Sequence, residues 1–127
     1  MIEQPFPIYV IEDDDAVRTS LSRALRLRGF EVVSFANAEA FLDRVPQLDQ
    51  GCIVSDFNLP GGTGEMLQSE ISLQPREFPL IFMTGAGDKV LEAHAVSRGA
   101  IGVLRKPFRP ERLIELIETA FAKLTPR

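Results

Sequence analysis

The sequence predicts an open α/β domain: a five-stranded parallel sheet, doubly wound, with helices on both faces. Three observations predict it. Short β-prone apolar runs recur five times, each followed by a segment of helical period. The runs are continuously apolar rather than alternating, as strands buried on two faces require. The segments between runs suit helical crossovers, which join parallel neighbours.

Ile8 to Ile11 form the first run, and the acids Glu12 to Asp15 that follow suit the first turn of a helix. That helix carries an apolar stripe of Val17, Leu21, Ala24 and Leu25, leaves Arg18, Ser22 and Arg26 on other faces, and stops at Gly29. Phe30, Val32, Val33 and Phe35 predict the second strand; Ala38, Phe41, Leu42 and Val45 predict a helix limited by Pro46. The third strand runs from Cys52 to Ser55 and delivers Asp56, after which Met66, Leu67, Glu70 and Ile71 restart a helical period that fails near Pro75. Pro79 to Met83 form the fourth strand, closed by Thr84. Asp88 is placed to cap a helix through Val90, Leu91 and Val96 that ends at Gly99. Ile101, Val103 and Leu104 give a fifth strand, and Leu113, Ile114, Leu116, Ile117, Ala120, Phe121 and Leu124 give the stripe of a last helix before Pro126.

A chain of 127 residues, 45% hydrophobic and 25% charged, has room for one domain. Its net charge of -4 and the lack of a basic run argue against direct nucleic-acid contact by this segment. Cys52 is the single cysteine, which excludes an intrachain disulfide and fits a reducing compartment. No stretch has the length of a membrane span or the build of a signal sequence, so a cytoplasmic location is expected.

Ligands of doubly wound sheets sit beyond the carboxyl ends of the strands. Glu12 and Asp13 follow strand one, Asp56 ends strand three, Thr84 ends strand four and Lys106 follows strand five. Taken singly, each has a plainer reading: dipole complement for the acids, a turn residue for Asp56, a solvated lysine for Lys106. Their joint placement at four strand ends outweighs those readings. Two unit charges about 4 Å apart repel by roughly 4 kcal/mol at an effective dielectric near 20, so gathered carboxylates need a cation. Lys106 offsets part of this, and Mg²⁺, which takes one or two carboxylates with waters and phosphate oxygens, offsets the rest. Asp56 would then attack phosphorus in line while Lys106 and Thr84 bind the transferred oxygens. His94 has no second ligand at metal spacing and is assigned no role.

Four motifs, Glu12-Asp13, DFNLPGGTG from Asp56 to Gly64, MTGAGD from Met83 to Asp88 and KPF from Lys106 to Phe108, resemble the receiver domain of two-component response regulators. Through AEAFL at Ala38 to Leu42 and the TGxGD form at Thr84, the chain is most similar to the nitrogen-fixation regulator (FixJ-like) branch. The resemblance implies a flavodoxin/CheY-like fold with strand order 2-1-3-4-5 and a receiver domain over residues 1–124. It also implies a phosphoacceptor at Asp56, served by a sensor histidine kinase that docks partly on the first helix, with Arg18, Ser22 and Arg26 outward. Asp13 would bind Mg²⁺ directly, Glu12 through water and Asn58 through its backbone carbonyl, with Asp56 also in the metal set. Thr84 and Lys106 would recognise the phosphoryl group, a cis Lys106–Pro107 bond is implied, and homodimerisation would use helix 4, strand 5 and helix 5. Such a domain is a regulatory switch that assists its own phosphoryl transfer and slow dephosphorylation, not an enzyme with a separate substrate.

Relatives commonly carry an aromatic residue three places before the lysine, where this chain has Val103. The switch set is therefore Thr84, Val103 and Phe108, with a shift of the Gly85-Ala86-Gly87 loop as the favoured carrier of the signal. The tail 125–127 is a candidate start of a linker or output domain: Leu124 to Arg127 resembles the opening of a LuxR-type helix-turn-helix domain, and a free-standing receiver is the other reading. An aspartyl-nucleophile, Mg²⁺-dependent phosphohydrolase is the enzymatic alternative, although Asn58 stands where that class has a second carboxylate. A dinucleotide-binding module is the other rival, but Gly85-Ala86-Gly87 lacks the third glycine such a loop uses.

Overall fold

The computed structural model describes residues 6–59, 62–85 and 89–125. Its main sheet has five parallel strands: β1 (Ile8–Ile11), β2 (Val32–Phe35), β3 (Cys52–Asp56), β4 (Leu80–Thr84) and β5 (Gly102–Arg105). Their order is 2-1-3-4-5. The helices are α1 (Asp15–Leu27), α2 (Ala38–Arg44), α3 (Gly64–Ser72), α4 (Lys89–Ser97) and α5 (Pro110–Ala122). A 3₁₀ turn at Val45–Gln47 holds Pro46 and ends the α2 segment, and a short antiparallel ribbon pairs Asn58–Leu59 with Gly62–Thr63.

Alternation along each strand splits the core into two layers. Ile8, Val10, Cys52, Val54, Ile81 and Met83 face Leu25 of α1 and Leu113, Leu116, Ile117, Ala120 and Phe121 of α5. Tyr9, Ile11, Ile53, Leu80 and Phe82 face Ala38 and Phe41 of α2, Leu67 of α3 and Ala95 of α4. Burial on both faces explains why these strands read as unbroken apolar runs. Two helix ends use the glycines expected there, Gly29 at φ 93 and Gly99 at φ 107. Gly64 meets a steric demand instead: a Cβ there would lie 2.5 Å from the Phe57 ring and 2.8 Å from that of Phe82, while its N–H donates to Phe57 O at 2.7 Å.

Two helical phases differ from expectation. On α1, Ser22 is buried beside Leu25 whereas Val17 and Ala24 are exposed, so the helix is turned toward its Arg18–Ser22–Leu25 side. Arg18 is held there because its guanidinium reaches back to the main chain at Glu12. On α4, Val90 and Val96 are 77% and 49% exposed, and Ala95 alone is buried. Val96 is one helical step of about 100° from Ala95, enough to carry it off the narrow contact face. Pro60, Gly61, the Ala86-Gly87-Asp88 segment with its expected cap, and the end of the tail at Pro126 and Arg127 lie outside the described residues.

Candidate functional site

The carboxyl ends of β1, β3, β4 and β5 meet at one edge. Glu12 leaves β1 with its N–H donating to Phe35 O at 3.1 Å, and its side chain is 1% exposed. Asp56 ends β3, in register with Met83 of β4, and Thr84 closes β4 opposite Arg105 of β5. The next residue, Lys106, donates its N–H to Thr84 O at 2.8 Å, which ties the β5 loop to the β4 end. The Lys106–Pro107 peptide is cis.

Lys106 Nζ bridges two carboxylates, at 2.9 Å from Glu12 Oε1 and 3.2 Å from Asp56 Oδ2. Partial burial alone would lower the lysine pKa, but its hydrogen bonds to Glu12 and Asp56 and the charges of both acids outweigh that and raise it. The ammonium is therefore fixed through the neutral range. Asp56 Oδ1 accepts the Asn58 N–H at 3.2 Å, and Ser55 Oγ donates to Asp56 O at 2.9 Å. Glu12 Oε2 accepts the Asp14 N–H at 3.2 Å. Both carboxylate oxygens of Glu12 and of Asp56 are thus engaged, whereas the exposed Asp13 carboxylate has no hydrogen bond or ion pair among the described residues.

One oxygen from each of Glu12, Asp13 and Asp56 lies within 4.8 Å of the others. The Lys106 ammonium reaches two of these three carboxylates, and the all-oxygen donor set suits a hard divalent cation. The residues fit Mg²⁺.

The structure therefore brings Glu12, Asp13, Asp56 and Lys106 together, with Asn58 and Thr84 joined to them through main-chain hydrogen bonds. Asp14 and Asp15 are helix-start residues as expected: Asp14 Oδ1 caps the Val17 N–H at 3.0 Å, and Asp15 pairs with Arg18 at 2.6 Å. The remaining switch candidates lie on opposite sides of the sheet. Val103 is opposite Phe82 and packs on the α2–α3–α4 layer; Phe108 packs on the α1–α5 layer beside a cavity of about 50 Å³ shared with Leu21, Leu25 and Ile114. Sequence reasoning missed two polar contacts, one at this edge and one between α3 and α4. Arg18 grips the Glu12 carbonyl, and the buried Gln68 donates to Ala95 O at 2.9 Å, joining α3 to α4. Both are polar residues on amphipathic helices, which hydropathy assigns to the surface.

A carboxylate-rich, lysine-bridged edge on a doubly wound sheet defines a class, the domains built to handle a phosphoryl group with a divalent cation. The response regulator receiver domain family matches residues 8–118, and the chain belongs to it. It is 44% identical over 119 residues to the transcriptional regulatory protein FixJ of Bradyrhizobium diazoefficiens, covering 94% of this chain and 58% of that protein. The crystal structure of full-length FixJ from B. japonicum superposes with a TM-score of 0.89 at 42% identity, over 98% of this chain and 61% of that one. The beryllofluoride-activated NtrC4 receiver domain dimer superposes at 0.86 with 26% identity, over 94% of this chain and 98% of that one. The chain is thus a receiver domain of the FixJ type, regulatory rather than catalytic in role, and it spans little more than half the length of the curated relatives it matches. Among the described residues no helix is long and apolar enough to cross a membrane.

Proposed function

We propose that Asp56 is the phosphoacceptor of a cytoplasmic two-component switch. The observation that carries this reading is Lys106 Nζ bridging Glu12 and Asp56, with an Asp13 carboxylate oxygen gathered within 4.8 Å of theirs. An Asp56 oxygen attacks the phosphorus of a phosphohistidine on a sensor kinase. The P–N bond breaks with its electron pair going to the imidazole nitrogen, and an acyl phosphate forms on Asp56. Lys106 loses its contact with the attacking carboxylate but stays held by Glu12, so its charge remains in place for the phosphoryl oxygens. The Thr84 hydroxyl binds another of these oxygens. Mg²⁺, held directly by Asp13, Asp56 and the Asn58 carbonyl and through water by Glu12, would neutralise charge on the oxygens when bound. The division between Asp13 and Glu12 is supported by their partners: among the described residues both Glu12 carboxylate oxygens are engaged, and the Asp13 carboxylate has no hydrogen bond or ion pair.

The same edge supports slow self-dephosphorylation by water. Output would pass through α4, β5 and α5 as a homodimer. Support comes from the exposed Val90, Leu91 and Val96 on α4, from the Arg105–Glu92 ion pair at 3.3 Å beside them, and from the dimeric state of the activated NtrC4 receiver. Thr84, Val103 and Phe108 are the proposed switch residues, and transcriptional output through a segment after residue 124 fits the FixJ relatives.

Incubation with acetyl phosphate and Mg²⁺, read by intact mass, should add one phosphoryl group to the wild type and none to Asp56→Asn. An unlabelled wild type, or equal labelling of both, overturns the reading. Replacing Val103 with Tyr should leave labelling intact and change the beryllofluoride-dependent dimerisation; identical sedimentation of the two forms removes Val103 from the switch.

A further inference from the structure

We infer that Arg18 is a positioning residue for cation binding, acting by fixing the backbone on the amino side of Asp13; the inference rests on the metal reading of the site. The Asp13 carboxylate is exposed and carries no hydrogen bond or ion pair among the described residues, so its place depends on its own main chain. That main chain is held on both sides. The peptide group before Asp13 is fixed by Arg18, whose Nη1 donates to Glu12 O at 2.9 Å. The peptide group after it is fixed by Glu12, whose Oε2 accepts the Asp14 N–H at 3.2 Å. Pinning both planes sets φ and ψ of the residue between them. The clasp is itself held, since Arg18 Nη2 donates to Asp15 Oδ1 at 2.6 Å. Arg18 also lies on the inward side of α1, with its side chain 20% exposed against 88% for Asp15.

A planar fork with two separate acceptors suits arginine and not lysine, whose single ammonium would serve one of them poorly or both not at all. A positive charge beside a cation site also gives the inference a distinctive sign. If Arg18 were a bystander, its removal would relieve repulsion and tighten cation binding. If it positions Asp13, its removal weakens binding.

The test is Mg²⁺ titration of the ¹⁵N-labelled chain, followed by amide chemical shifts, for wild type, Arg18→Met and Arg18→Lys. The spectra also report whether each variant is folded. Arg18→Met should bind Mg²⁺ on the order of ten-fold more weakly, as loss of a group that orients a metal ligand does, with Arg18→Lys in between. Arg18→Met binding as tightly as wild type, or more tightly, overturns the inference while leaving the metal reading intact. If Arg18→Met fails to fold, Arg18→Lys decides, and unchanged affinity in that variant overturns the inference. A wild type that binds no Mg²⁺ overturns the metal reading itself, a result distinct from either.

Discussion

Helices α4 and α5 belong to the same proposed output face, yet they are attached to the domain by different physics. α5 buries Leu113, Leu116, Ile117, Ala120 and Phe121 along its length. α4 buries Ala95 alone and leaves Val90, Leu91 and Val96 in solvent. Its described polar tethers are directional: Gln68 Nε2 to Ala95 O at 2.9 Å, Arg98 Nη2 to Ser69 Oγ at 3.1 Å, and Glu92 to Arg105 at 3.3 Å. Apolar area contributes steadily to stability, whereas each hydrogen bond replaces one to water and nets about 1 kcal/mol. α4 is therefore the element of lower local stability, the kind from which moving parts are drawn.

Deleting an α5 anchor gives the largest expected effect. Ile117 is fully buried, so Ile117→Ala should cost about 2–5 kcal/mol in chemical denaturation. Gln68→Ala should cost about 1 kcal/mol and should speed hydrogen exchange in α4 while leaving α5 unchanged. Equal acceleration in both helices would mean that they open as one unit. Val90→Ser should shift stability by no more than about 0.5 kcal/mol, and a loss approaching that of Ile117→Ala would abolish the contrast.

The smallest effect concerns pH and sharpens the contrast by isolating the sheet edge from both helices. With its folded pKa raised above the ordinary 10.5, Lys106 adds stability that is fully present below that value and lost only as pH rises through the higher folded one. The stability gap between wild type and Lys106→Met should thus stay flat from about pH 6 to 9 and close in stronger alkali.

Most of the architecture was legible because buried parallel strands leave a simple mark: an apolar run, then a change of period. The site edge was legible for a related reason, since acids and a lysine at strand ends have few structural uses in common. Helix phase was harder. Ser22 reads as surface by polarity but lies against the sheet beside Leu25, and the α4 stripe counts Val90 and Val96, which sit off the face occupied by Ala95. Hydropathy weighs a residue's chemistry, whereas burial depends on which side of the cylinder meets a neighbour. Arg18 and Gln68 were missed because each acts on a main-chain carbonyl, and a carbonyl has no letter in the sequence. Position offered a weak signal for Arg18, one turn into the helix that follows the acidic loop.

Cys52 is wholly enclosed in the α1–α5 layer, and burial pushes its thiol pKa far up. As the chain's single cysteine, it should ignore maleimides while the domain is folded. A probe attached through Val90→Cys would then be the sole label, on a side chain already 77% exposed. The native sequence thus provides a ready background for spectroscopic tracking of α4.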